Sequence, residues 1–152
     1  MFMIGFNLYK APPFLLEKIN NICKLLWQGK KEYEQVAATV KDKDLQCTML
    51  SLAQESNQYA LELSSQVHTL GGVPETEKAN EPEVRKEIKN LSNDTEVLSF
   101  CNMHEKKMIG AYREVLNESH LYDGLRKMIR YQLNEMLCIF MQVKQLNALK
   151  FH

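Results

Sequence analysis

Glycine and proline are scarce in this chain, six and four among 152 residues. That is too few for the succession of tight turns an all-β fold requires. Four cysteines are present, Cys23, Cys47, Cys101 and Cys138, but none forms a C-x-x-C pair. A zinc ribbon and a thioredoxin-like redox motif are therefore excluded. Charge of one sign is missing too, since 19 basic and 19 acidic residues cancel. No net field directs the chain toward nucleic acid or an anionic membrane. Lys106-Lys107 and Arg126-Lys127 are short and mixed with acids, as solvated helix faces are. No window holds the roughly 18 uncharged apolar residues that a membrane-spanning helix needs. There is no glycine-rich phosphate loop, because Gly71-Gly72 closes a helical pattern instead of opening one. No serine or cysteine sits in a nucleophile motif. The opening MFMIGFNLYKAPP is apolar, yet no basic residue precedes its apolar run and no small-residue cleavage site clearly follows, so it is not read as a signal peptide. A soluble, cytoplasmic protein with four buried, reduced thiols is expected.

What the chain does contain is helical periodicity. Leu45, Met49, Leu52, Leu63, Val67 and Leu70 recur at steps of three and four, with Ser56, Tyr59 and Ala60 at the midpoint of the stripe. This helix, from about Lys43, stops at Gly71-Gly72 with Pro74 beyond. A first helix opens at Pro12-Pro13 and carries Leu15 or Leu16, Ile19, Cys23, Leu26, Gly29 or Lys30, Tyr33 and Ala37 inward. A third starts at Ser92-Asn93, where Asn93 and Glu96 have capping-box spacing, and carries Leu98, Cys101, Glu105, Met108, Tyr112 and Val115. A fourth runs from about Leu121 to Leu149 on Leu125, Ile129, Met136, Ile139 and Val143. Residues 71–92 make a connection far longer than the roughly two to eight residues usual between helices, and EPEVRKEIKN within it reads as a short helix. The fold expected is all-α: a four-helix bundle over residues 12–152 with a long crossover between helices two and three, preceded by a leader at 1–11. The runner-up is an elongated coiled coil that completes its core by dimerising.

Polar groups interrupt each stripe near its middle: Lys30 with Glu34, Ser56 with Tyr59, Glu105, and Gln132 with Glu135. A buried carboxylate must be paired, protonated or metal-bound. One expectation is a hydrogen-bonded polar layer of Lys30, Ser56, Tyr59, Glu105, Gln132 and Glu135, in which Lys30 neutralises Glu105 or Glu135 while Tyr59 and Gln132 satisfy the remaining oxygens. The other is a carboxylate-rich di-metal site, for iron or manganese, built from Glu34, Glu55, Glu105 and Glu135. A di-iron centre of the usual kind needs a Glu-x-x-His pair on each of two helices. None of His68, His104, His120 or His152 supplies one, and His104 stands one residue off the stripe of the third helix. Trp27 is expected either in the core or at a subunit interface.

AQESNQYALEL (Ala53–Leu63), HTLGGVPE (His68–Glu75), EYEQVAATVKDKDLQ (Glu32–Gln46) and CNMHEKKMIGAYREVL (Cys101–Leu116) together resemble a bacterial family of small ferritin-like four-helix proteins catalogued as a domain of unknown function. That family closes its second helix with Leu-Gly-Gly-x-Pro, matched by Leu70–Pro74. Its third helix carries a Cys-Glu … Gly-Glu-Asp … Ala-Tyr pattern, matched in part by Cys101, Glu105 and Ala111-Tyr112. Asn102 and His104 depart from it, standing where the family has an acid and a glycine. The resemblance covers roughly residues 14–147 and implies a ferritin-like bundle, with Glu55 and Glu105 at positions of family acids. It implies no established activity, so fold follows from it and function does not. The expected function is a non-enzymatic bundle without a cofactor, acting through protein association or in a stress response, the latter as wider ferritin-like relatives suggest. The alternative is a di-metal protein of iron handling or oxidoreduction. A homo-oligomer is expected among the partners, one form being a dimer on which the leader packs through Phe2, Phe6 and Tyr9; nucleic acid and membrane are not.

Overall fold

The computed structural model describes residues 11–77, 88, 91 and 93–151. Almost all of the leader, and of the short crossover helix expected from EPEVRKEIKN, lies outside the described residues. Four long helices carry the fold: α1 (Pro13–Thr39), α2 (Lys43–Thr69), α3 (Asp94–Leu116) and α4 (Asp123–Leu146). A π-helical turn, Asn147–Phe151, ends the described chain. At 27 residues, α1 and α2 are each about 40 Å long.

Local chemistry sets most of the ends. Pro13 sits in the first turn of α1, where its missing N–H leaves nothing unsatisfied. The Asp42 side chain accepts from the Leu45 N–H at 2.9 Å to start α2, and Asn93 accepts from the Glu96 N–H at 2.9 Å to start α3. The Leu45 N–H, and then Lys150, hold the Asp42 carboxyl below its ordinary range. At the far end of α2, Gly71 adopts φ 89°, the Gly72 N–H reaches the Val67 carbonyl at 2.9 Å and the Gly71 N–H reaches that of His68 at 3.1 Å. This pairing is the Schellman arrangement that glycine makes accessible. Gly71→Ala is therefore expected to cost about 1 kcal/mol in urea denaturation. A neutral result would mean that the helix ends in some other way.

The helices form a square in which α1 touches α2 and α3, and α4 touches α2 and α3. Gln46 reaches the Ala37 carbonyl and Ser64 lies beside Cys23, so α1 and α2 run antiparallel. Lys18 pairs with Glu118 past the end of α3, while Thr39 and Lys41 border the same surface cleft as Asn93 and Val97. The crossover therefore begins at one end of α1 and delivers the chain to the other, and α3 runs antiparallel to α1. Its described start climbs α1: Asn20 donates to the Val73 carbonyl, Trp27 Nε1 donates to the Glu75 carbonyl at 3.2 Å, and Lys30 pairs with Glu77. Arg126 of α4 donates to the Leu116 carbonyl at 2.5 Å and the Glu118 carbonyl at 2.7 Å, which closes the open end of α3. This is a ferritin-like bundle with one long crossover.

The inward faces make one continuous core that includes Leu15, Ile19, Leu26, Leu52, Leu63, Tyr112, Ile129 and Phe140. Each such side chain contributes roughly 1.5–3 kcal/mol by leaving water. Trp27 belongs to this core. The thiols depart from expectation. Cys23 and Cys101 are buried, but Cys47 and Cys138 are exposed, because each stands off the inward stripe that its neighbours Leu45 and Met49, or Met136 and Ile139, define. Among the described residues no helix is long and apolar enough to cross a membrane.

Candidate functional site

The interior polar groups are distributed along the bundle as separate pairs and do not form one layer. Between α1 and α3, the Tyr33 hydroxyl is hydrogen-bonded to His104 Nδ1. The two rings stand edge to face at 5.1 Å, and Phe100 lies 5.7 Å from His104. Gly29 makes the room: a Cβ there would stand 2.9 Å from His104 Cε1. Burial, and then the neighbouring Cys101, Glu32 and Glu105, push the Tyr33 hydroxyl far above its ordinary pKa. Periodicity assigned His104 to a position off the stripe; the structure buries it. The inward face of α3 is wide enough to hold His104 and Glu105 side by side. Glu32, fully buried and accepting from Gln28 at 2.8 Å, is not picked out as inward by spacing, since the stripe runs through its neighbour Tyr33.

Across α3, α4 and α2 in turn, the Tyr112 hydroxyl donates to Gln132 Oε1 at 2.9 Å, and Gln132 Nε2 donates to Glu62 Oε1 at 3.0 Å. A carboxylate can only accept, so the amide nitrogen must face Glu62 and the amide oxygen Tyr112. Tyr59 is buried close by. Burial, and then its hydrogen bond with Glu55, raise its pKa, and the Glu135 charge adds to the effect. Ser56 is buried with no hydrogen-bond partner for its hydroxyl.

Between α3 and α4 lies an open cleft of about 340 Å³. Glu105 stands in its wall with Lys144 Nζ 3.1 Å from Oε1 and 3.2 Å from Oε2. Cys101 also borders the cleft, 3.7 Å from Met49 Sδ across the core. Burial first, and Glu105 second, push its thiol up to about 12. It is a protonated, weakly nucleophilic thiol at neutral pH.

These placements revise the expected pairing. Lys30 pairs with Glu77 of the crossover, and neither Glu105 nor Glu135 is its partner. Lys144, about two and a half turns beyond Glu135 on α4, neutralises Glu105 instead. Gln132 serves Tyr112 and Glu62, while Tyr59 serves Glu55. Glu34 is exposed, beside Lys30, Gln54 and Asn57 in a shallow surface groove. Of the four acids considered for a metal, Glu55 and Glu135 both act on Tyr59, whereas Glu34 and Glu105 lie elsewhere. Among the described residues, no three His, Cys, Asp or Glu side chains are placed to hold one metal ion. The di-metal centre associated with ferritin-like bundles does not fit this donor set. Where it needs paired Glu-x-x-His ligands, α2 offers Ser56 and Tyr59, and α3 turns its one buried histidine onto Tyr33.

Residues 15–118 match a family described as a domain of unknown function (DUF2383). No curated protein matches the sequence. Among solved structures, the fold is similar to that of a protein from Bacteroides fragilis described as a dodecameric thioferritin and as bacterioferritin-related. The TM-score is 0.77 at 17% identity, over 94% of this chain and 89% of that one. At that identity the likeness establishes the fold alone.

Proposed function

The chain belongs to the DUF2383 family, a domain of unknown function, and from that premise we propose that it is a non-enzymatic bundle acting through protein association, first with copies of itself. One observation carries this reading. The exposed residues of α2 from Cys47 onward are Cys47, Leu50, Gln54, Gln58, Leu61, Ser65, His68 and Thr69, without a single acid, lysine or arginine. A quarter of the whole chain is charged. Leu50 is 44% and Leu61 56% exposed, about three turns apart on one side of the helix. Scattered exposed leucines are ordinary, but an uncharged helix face with aligned leucines has the composition of an interface centre. The dodecameric state of the Bacteroides fragilis protein supports assembly of copies. A cytoplasmic setting and a stress-response role belong to the same proposal and rest on the free thiols and on the wider ferritin-like likeness.

Light scattering on the purified chain should give a mass that is a multiple of 17.7 kDa. Leu50→Glu with Leu61→Glu should return it to the monomer with its helical circular dichroism intact. A wild-type monomer, or a double variant of unchanged mass, would remove the support. Iron or manganese in stoichiometric amount in protein purified from its own host would favour the di-metal alternative instead.

A further inference from the structure

The α3–α4 cleft goes beyond that reading, since it lies away from the uncharged face of α2. Its volume is about 340 Å³. A closed apolar cavity of about 150 Å³ already admits benzene, and small-molecule sites begin near 300 Å³. Leu98, Phe140 and Val143 give it an apolar lining, with Glu105 and Lys144 as its charged pair. The two charges are held very differently. The Glu105 side chain is 9% exposed and fixed in the wall by the core behind it, whereas that of Lys144 is 57% exposed. A carboxylate so placed needs a cation, because an unpaired buried charge is costly. Among the described residues of the wall, the cation is Lys144, which reaches in from solvent on a flexible stem.

We propose that the cleft receives a primary ammonium carried on a compact apolar body, an arylalkyl- or alkylamine, with Glu105 as its anchor. Lys144 is then the built-in occupant. Its Nζ sits where the ligand's ammonium goes, between the two oxygens of Glu105, and it swings out to solvent when the ligand enters. The apolar body lies along Leu98, Phe140 and Val143, the apolar residues that border the cleft. The chemistry selects the class. A neutral alcohol leaves the carboxylate poorly paired once Lys144 has moved, an anion meets Glu105 with like charge, and a quaternary ammonium has no N–H to donate.

The probe is 2-phenylethylammonium, with 2-phenylethanol as its neutral counterpart and phenylacetate as its anionic one. In Lys144→Met the stem remains and the competing charge is gone. Calorimetry should show saturable one-site binding roughly fivefold tighter than in the wild type, the advantage of removing one half-exposed ion pair. Neither counterpart should bind, and Lys144→Met with Glu105→Gln should lose the site. Absence of binding to Lys144→Met, equal binding of the alcohol, preference for phenylacetate, or binding that survives Glu105→Gln would each overturn the proposal. If Lys144→Met does not fold, the wild type is compared with Glu105→Gln by NMR at millimolar amine: binding in the first and none in the second, or the proposal falls. The mass of the assembly reports on the association reading and is independent of these titrations.

Discussion

Gln132→Leu should destabilise the bundle by about 2–3 kcal/mol, although leucine is the more apolar residue and the better helix former at a fully buried position. The cost is that of orphaned partners. The Tyr112 hydroxyl, itself fully buried, loses its acceptor, and Glu62 loses the amide that donates to it. A buried hydroxyl with no partner costs about 1–3 kcal/mol. Glu62 is only half-buried and can turn to water, so its share is the smaller. Tyr112→Phe alone strands the amide oxygen of Gln132 in the same way. The two together, Tyr112→Phe with Gln132→Leu, should cost less than the sum of the single changes by about 1 kcal/mol or more, as expected for residues that share one hydrogen bond. Urea denaturation of the four proteins measures this directly. Strict additivity would mean that the two side chains do not depend on each other.

Gly29→Ala should also destabilise, against the usual sign. In an exposed helix interior alanine is worth about 1 kcal/mol more than glycine. At position 29 the added Cβ would stand 2.9 Å from His104 Cε1 and 3.2 Å from Tyr33 Cε2. The histidine ring cannot withdraw cheaply, because Tyr33 holds Nδ1 and Phe100 packs against the ring. Overpacking of this kind costs about 1–3 kcal/mol, which outweighs the gain in propensity. The same change made in a His104→Ala background should cost clearly less, since the nearer ring is gone and only Tyr33 remains close. Thermal unfolding of the two pairs is sufficient. A stabilised Gly29→Ala in the otherwise native chain would show that the ring moves aside freely and that the close approach of α1 to α3 is loosely packed.

Much of the architecture was legible in the chain. The apolar stripe of α2, the prolines opening α1, the Asn93 cap of α3 and the Gly71-Gly72 stop of α2 are local signals, and each is found where the residues place it. The interior polar groups were legible only in part. Glu105 and Gln132 are recognisable as inward because they occupy apolar positions of a repeating stripe. Glu32 and His104 are not, because each is a polar residue standing directly beside a position already assigned to the stripe, Tyr33 and Glu105, and spacing alone does not say how wide the buried face is. The partner of Lys30 was not legible either. Periodicity points its charge at acids of a similar height, while the crossover, which brings Glu77 alongside α1, is invisible to helical spacing.

The sequence by itself determined the number of rods, where they begin and end, and which side of each avoids water, since caps, breakers and hydrophobic spacing act within a few residues. Tertiary structure alone decided which ionisable group meets which. A lysine on a flexible stem can satisfy any carboxylate within reach, and what lies within reach depends on how helices far apart in the chain are set against one another. So Lys144 and not Lys30 covers Glu105, and a cleft opens beside that pair, because of the packing of α3 on α4.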